Sequence, residues 1–329
     1  KAMAKGADVD KLAAEFADEL DTLGVRVANL EKKADNVKIT GQIRASYRDA
    51  DSNQSEGRLR TRLFLNGQIN EDWTYTGRFE NNQYFDGTNA QGKTGENDVD
   101  LNWAYVSGRI GGLDVTAGRQ DFKLHTGSVI DATVDGAMVS YGEKVKLSGY
   151  AAKAVDKGTT STLTSDDRVY IADLTTKFGA VDAYATYYKA DTAAENEIFV
   201  VGAGFEVVKN LKLNAEWLNG DAAQGKDDNG YMVGLAYGGA KAAKVGSWGL
   251  YANYYDQPAA TILEHTVDGY AYMPADFKDN GDGFKGYEVG ANVTLAKNIV
   301  AGVKYYDLET REGAKNDEQT LWSEVVFTF

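Results

Sequence analysis

From Val37 onward, polar and apolar residues alternate with a period of two. Lys38, Thr40, Gln42, Arg44 and Ser46 interleave with Ile39, Gly41, Ile43, Ala45 and Tyr47. Thr74, Thr76, Arg78 and Glu80 interleave in the same way with Trp73, Tyr75, Gly77 and Phe79, and Leu321, Ser323, Val325, Phe327 and Phe329 share one face at the end of the chain. Successive strand side chains point to opposite faces, so this period predicts strands with one wet face and one apolar face. Sixteen such segments are predicted, at 37–48, 58–69, 73–82, 99–109, 113–120, 135–141, 144–154, 168–177, 180–189, 198–207, 210–218, 230–238, 247–256, 285–295, 298–308 and 319–329. Most approach the roughly 9–11 residues with which a tilted strand crosses the hydrocarbon layer.

The connections alternate between short and long. Short ones fall at Asn70-Glu71-Asp72, Gly111-Gly112, Gly142-Glu143, Phe178-Gly179 and the Lys209 and Lys297 turns, with a somewhat longer one near 239–246. Long ones fall at 49–57, 83–98, 121–134, 155–167, 190–197, 219–229, 257–284 and 309–318. A soluble β-sandwich has no need of this alternation, whereas a transmembrane barrel has short periplasmic turns and long external loops. The fold class is therefore all-β: a 16-stranded antiparallel transmembrane β-barrel at 37–329, with both termini on the periplasmic side.

The first 36 residues follow a different period. Val9, Phe16, Leu23 and Leu30 recur every seven residues, and Ala13, Leu20, Val27 and Ala34 form a second row four residues on. This is the seam of a coiled coil, and it predicts a helical stalk over residues 1–36 in the periplasm. The plainer alternative is a single amphipathic helix packed on a domain. The alanines make the seam thin, and a stalk needs at least one partner copy.

Composition agrees with a barrel. The chain of 329 residues has 36 Gly, 20 Tyr, 2 Pro and no Cys, and proline is excluded from sheet interiors. Mean hydropathy is −0.43, and no apolar run reaches the roughly 18 residues of a membrane-spanning helix. A barrel needs apolar residues only at alternate positions, so a low mean does not argue against a membrane location. The net charge of −14 excludes nucleic acid as a partner, and the lack of cysteine excludes disulfides and thiolate metal sites. The chain starts without an initiator Met and residues 1–8 lack an apolar signal core, so processing, truncation or an upstream domain is expected.

Gly118-Arg119-Gln120 closing the fifth segment, and the ending Val326-Phe327-Thr328-Phe329, resemble general porins of Gram-negative bacteria. In that family a terminal Phe such as Phe329 is the signal read by the barrel-insertion machinery. The helix Leu20-Asp21-Thr22-Leu23-Gly24-Val25-Arg26-Val27-Ala28-Asn29-Leu30-Glu31, leading into Ile39-Thr40-Gly41, is similar to the OmpM family of diderm Firmicutes such as Veillonella and Selenomonas. Those proteins join an S-layer-homology domain, a coiled coil and a porin barrel. The resemblance covers stalk and barrel, without the S-layer-homology part. It implies a homotrimer in contact with outer-membrane lipid and lipopolysaccharide, and a tether to peptidoglycan through an upstream domain. The function it implies is diffusion of small hydrophilic solutes and ions, with no enzyme activity and no cofactor. The alternatives are a chiefly structural anchor and a substrate-specific channel, for example for sugars; the latter would need aromatics lining the lumen, and the period shows no such stripe.

In general porins the third external loop narrows the channel, and the matching segment here is 121–134, holding Asp121, Lys123 and Asp131, with Asp135 just after. Arg58, Arg60 and Arg62 share one face of the second strand, and Arg44 and Arg78 lie on inward faces of its neighbours. Arginine at mid-membrane depth is costly on the lipid face, so these belong to the lumen. A basic wall of Arg44, Arg58, Arg60, Arg62, Arg78 and Arg119 facing an acidic loop would set a transverse field. The alternative is that Glu80, Asp98 or Asp100 salt-bridge the ladder and brace the wall. Trp73, Tyr75, Trp103, Tyr105, Trp217 and Tyr251 are expected in the aromatic girdles at the membrane interfaces. His125 and Ser128 are close in sequence but lack an orienting partner, and His265 has no candidate partner. Asp279 and Asp282 lie in a calcium-loop fragment that lacks its closing Glu, so no metal is expected.

Overall fold

The computed structural model describes residues 16, 17, 19, 36–51, 55–86, 98–155, 163, 167–192, 196–221, 227–264, 267–271, 282–313 and 315–329. The stalk seam lies outside them apart from Phe16, which, like Ala17 and Glu19, is helical and exposed. His265 and Asp279 also lie outside them.

Sixteen strands form among the described residues. The first eight are β1 (Val37–Ala50), β2 (Glu56–Gln68), β3 (Trp73–Asp86), β4 (Asp100–Ile110), β5 (Leu113–Lys123), β6 (Asp131–Tyr141), β7 (Val145–Ala154) and β8 (Arg168–Phe178). The rest are β9 (Val181–Ala190), β10 (Asn196–Val208), β11 (Leu211–Gly220), β12 (Asn229–Gly238), β13 (Trp248–Gln257), β14 (Phe284–Ala296), β15 (Ile299–Thr310) and β16 (Asp317–Thr328). Each pairs antiparallel with its chain neighbours, and β1 pairs with β16 to close the barrel. Closure removes every free sheet edge, which a sheet in lipid requires because no water is there to satisfy an unpaired backbone group. Phe329 completes the seam: its N–H donates to Gly41 O at 3.0 Å, and Gly41 N–H donates to Phe329 O at 2.8 Å.

Tight turns follow local chemistry. Gly111, Gly179, Asn210 and Asn298 take φ between 60° and 67°, the left-handed region open to Gly and tolerated by Asn. At the β2–β3 turn the Asn70 side chain accepts the backbone N–H of Asp72 and of Trp73 at 3.0 and 2.9 Å. The longer turn between β12 and β13 folds onto the next one, where Asn298 N–H donates to Ala242 O at 2.7 Å.

The outer face carries exposed apolar side chains such as Leu59, Leu63, Val139, Leu147, Leu174 and Leu250. On a soluble protein so much exposed apolar surface would be unusual; on this barrel it is the lipid face. The inner face is divided. The walls of β8 to β11 present Val169, Ile171, Tyr188, Ile198, Val200 and Leu218, all buried, because the chain between β5 and β6 folds inward and covers them. A second buried cluster joins Met232, Tyr255, Phe284, Tyr306 and Leu308 to Ile262 and Val267 from the connection between β13 and β14. That connection contains a 3-10 turn (Ala259–Thr261) and a short helix, α1 (Asp268–Ala271).

The external rim over β12–β15 is tied by Arg311, which sequence reading did not single out. Its guanidinium bonds to Asp256, to Asp227 at 3.3 Å, to Glu312 at 3.3 Å and to Asn229 O at 2.9 Å. Arg311→Ala is expected to leave Asp256 and Glu312 without this partner, loosening the rim by about 1–3 kcal/mol. Limited proteolysis should then cut the loops near 227 and 312 faster, while the barrel strands stay protected.

Candidate functional site

The constriction forms where the hairpin of β5 and β6 leaves the wall. Pairing with β4 ends at Ala104↔Arg119, and pairing with β7 ends at Val134↔Ala154. Beyond those points the β5–β6 ladder continues up to Lys123↔Asp131, with a last bond to the β7 side from Val155 N–H to Thr133 O at 3.1 Å. The segment expected as a loop at 121–134 is therefore a projecting hairpin with its tip at 124–130. Its extra strand residues escape a period reading because Asp121, Lys123 and Asp131 are polar like a loop.

Apolar and polar contacts hold the tip against the wall. Val129, Ile130 and Leu263 pack into the cluster with Phe122, each such burial contributing roughly 1.5–3 kcal/mol. His125 Nε2 lies 2.7 Å from Asp173 Oδ1 and 3.1 Å from Thr186 Oγ1, and its ring stacks on Tyr184 at 3.6 Å. Thr126 Oγ1 and Tyr184 OH both donate to Glu216, each at 2.5 Å. Tyr184 lies across β10: a Cβ at Gly202 would fall 2.1 Å from its Cζ. His125 thus has the orienting partner that sequence reading lacked. No bond joins it to Ser128 among the described residues; His125 holds the tip through Asp173 and Thr186.

The tip is also locked to the β13–β14 connection by backbone pairing. Leu263 and Glu264 N–H donate to Val129 O at 2.8 and 2.9 Å, and Asp131 N–H donates to Glu264 O at 2.8 Å. The Gln257 side chain donates to Ser128 O at 2.7 Å.

Across the lumen, β1–β3 carry the arginine ladder on the rows opposite to the exposed apolar ones. Arg44 Nη1 is 3.7 Å from Glu324, and its guanidinium lies 5.1 Å from the Trp322 ring centre. Arg58 is 3.8 Å from Glu56 and 5.9 Å from Trp322. Arg62 Nε donates to Glu80 at 2.5 Å. Arg78 is 3.7 Å from Glu80 and lies over Trp103 at 3.9 Å. Arg60 donates to Gln42 Oε1 at 3.1 Å. Glu80 is thus the brace; Asp98 and Asp100, the other candidates, show no ion pair to the ladder among the described residues. One carboxylate, Glu80, serves two arginines, so the bracing does not match the ladder charge for charge.

Asp121 and Asp131 lie within electrostatic range of Arg78, and Asp121 also of Arg62. Lys123 pairs with Asp131 at 3.2 Å. The acidic side includes a residue that sequence reading missed: Asp268 at the start of α1 binds Lys304 at 3.0 Å and lies within range of Arg44. It sits in a long connection where no period marks an inward face. Arg119 and Asp135 do not join the pore lining. They form a bidentate pair, both bonds 2.8 Å, on the row of β6 that carries the exposed Ala137, Val139 and Tyr141, which is the outer face.

The expected girdle also divides. Trp73, Tyr75 and Trp217 lie on outward rows. Trp103, Tyr105 and Tyr251 point inward: Trp103 under Arg78, Tyr105 beside it at 6.2 Å, and Tyr251 donating to Glu288 at 3.0 Å. Phe64 adds a third ring 5.7 Å from Trp103, so the lumen does hold a short aromatic row. Asp282 is buried at the base of the external rim, and no group of three metal-binding side chains occurs among the described residues.

A family model described as Gram-negative porin matches residues 14–325. The chain belongs to the Gram-negative porin family. The fold of this porin is similar to OprB of Pseudomonas putida, with TM-score 0.60 and 12% identity over 94% of this chain and 97% of that one. It is also similar to mutants of the Rh. blastica porin, one with TM-score 0.57 and another with 0.56, both at 14% identity over 89% of this chain and 100% of theirs. Likeness at such low identity shows the fold alone. No curated protein sequence matches the chain. Family and fold are those of channels, and they indicate the outer membrane.

Proposed function

We propose that this porin is a general diffusion channel for small hydrophilic solutes and ions, filtered at the constriction by width and charge. The observation that carries the reading is the lumen cross-section. An inward hairpin bearing Asp121 and Asp131 is anchored to one wall, opposite a ladder of Arg44, Arg58, Arg60, Arg62 and Arg78. Charge rings at a narrowing select among hydrated ions. Unitary current steps in planar bilayers test the channel. Arg60→Ala with Arg62→Ala is expected to shift the reversal potential in a salt gradient toward cations; an unchanged potential would remove both from the filter.

The finer reading is an OmpM-type trimer whose residues 1–36 form a periplasmic stalk linking the barrel to a peptidoglycan tether. The heptad rows Val9–Leu30 and Ala13–Ala34 support it, with three barrels compensating for a thin seam. Three equal closing steps would support a trimer. Removing residues 1–36 should leave conductance intact while detaching the outer membrane from the cell wall; loss of conductance would speak against a separate stalk.

A second reading, a sugar-selective channel, draws on the inward rings Phe64, Trp103 and Tyr105. It requires saturable block of ion current by sugars, and a linear, unblocked current would dismiss it.

A further inference from the structure

We propose that the outer face of β6–β9 is a fixed seat for one lipid of the external leaflet that carries a phosphate monoester. The phosphate lies between Lys153 and Arg168, and an acyl chain fills a trough below them. The seat is on the lipid side of the wall and does not depend on conduction.

Strand register sorts the outward residues of this arc into levels. Nearest the external rim, Arg119 faces Asp135, Asp135 faces Lys153, and Lys153 faces Arg168. The next level reads Ala137, Ala151, Tyr170 and Lys189, and the one below it Val139, Gly149, Ala172 and Tyr187. Ala137, Ala151, Gly149 and Ala172 thus form a floor of small side chains, framed by Val139 and the two tyrosines. The depression measures about 580 Å³, within the roughly 300–1,000 Å³ of ligand clefts. A Cβ on Gly149 would meet nothing within 4 Å.

The trough is held in shape from behind. The inner faces of β8 and β9 bury Val169, Ile171 and Tyr188 in the cluster that seats the hairpin. At its edge, Glu197 accepts the Tyr187 hydroxyl and pairs with Lys189 at 3.2 Å. A site shaped in advance loses little freedom on binding.

Depth and charge identify the occupant. Lipid-facing Arg and Lys are costly at the bilayer midplane and tolerated near the interfaces, and tyrosines mark headgroup level. The cations therefore lie among headgroups and the small floor among acyl chains. Lys153 and Arg168 stand directly opposite each other, a placement that like charges disfavour and that an anion between them relieves. Asp135 is committed to Arg119 through two bonds of 2.8 Å. Asp191 donates its backbone N–H to Arg168 O at 2.8 Å, yet no hydrogen bond or ion pair reaches the Arg168 guanidinium among the described residues. That planar fork matches paired phosphate oxygens, and two adjacent cations match the charge of about −1.5 to −2 on a monoester.

The test uses the full chain in detergent, with lipid A as the probe. Native mass spectrometry should show a retained lipid on each chain, and lipid A should raise the thermal unfolding temperature, as a ligand of the folded state does. Lys153→Gln combined with Arg168→Gln should weaken retention by at least about tenfold. Gly149→Leu, for which the structure has room, should weaken it as much by filling the trough, with the lipid-free unfolding temperature unchanged. Arg109→Gln, at an exposed arginine on the periplasmic rim, should match the parent. Phosphatidylglycerol, a singly charged diester, should be retained at least about tenfold more weakly. Equal retention of phosphatidylglycerol, or lipid A retention that survives either the double variant or Gly149→Leu, would overturn the seat. A crosslink between two copies through Ala172→Cys would overturn it as well, by showing the face covered with protein.

Discussion

Replacing Ile130 by aspartate is expected to raise the unitary conductance while leaving the barrel intact. Ile130 is 1% exposed and sits with Val129, Phe122 and Leu263 where the hairpin tip meets the inner wall. The substitution forfeits roughly 1.5–3 kcal/mol of apolar burial. It also requires a carboxylate to lose its water against Val169, Ile198 and Leu218 without a partner, a penalty of several kcal/mol. Opposing it are the bonds of His125 to Asp173 and of Thr126 to Glu216, each contributing about 1.5–3 kcal/mol as charge-assisted hydrogen bonds. The three backbone bonds of Val129 and Asp131 to Leu263 and Glu264 also oppose it, each contributing about 0.5–1.5 kcal/mol. The two sides are comparable, so the tip is expected to spend much of its time off the wall. The ladders around the barrel do not pass through the tip, and circular dichroism should be unchanged. An unaltered conductance would show that the hairpin does not set the limiting width.

The second large effect is expected at Gly118, where β5 parts from β4. Its φ is +128°, and a Cβ there would lie 2.4 Å from Ala104 O and 2.8 Å from Tyr105 Cα. Those neighbours are backbone atoms of the paired strand and cannot swing away. Gly118→Val combines roughly 1–3 kcal/mol of backbone strain with displacement of β4 at the root of the hairpin. The variant should unfold in detergent at a clearly lower temperature than the parent, or fail to reach the heat-resistant barrel form on gels. Gly149→Ala provides the contrast, because nothing lies within 4 Å of a Cβ at that exposed outer position, and its melting should match the parent. Equal behaviour of the two variants would refute the assignment.

Strand number and order were legible because the two-residue period survives wherever one face meets water and the other lipid. The period fades where that division fails, although the segment 198–207 is still predicted as a strand. The run Ile198-Phe199-Val200-Val201 is apolar on both faces of β10, and such a run marks a strand covered on both sides. It signals that something packs inside the barrel there, and in the structure this is the hairpin. Parity carries further information: Asp135 shares its row with Ala137 and Val139, which argues for the outer face, and Tyr251 shares its row with the polar Asn253. Asp268 and Arg311 had no such mark, because they lie in connections where only tertiary contacts decide which way a side chain faces. Gly118-Arg119-Gln120 was recognisable as a pattern, but its role as the point of departure from the wall emerges only from the pairing.

The apolar lining of β8–β11 gives this cylinder two mechanical halves. One arc is backed by a dry core and resembles the interior of a water-soluble protein; the other is a hydrated sheet a single chain thick. Changes of bore or charge can accumulate on the hydrated arc without repacking anything, whereas the padded arc must retain its shape for the hairpin to have a seat. Variation among natural solute preferences of such channels should therefore be written mainly on the strands from β16 to β3.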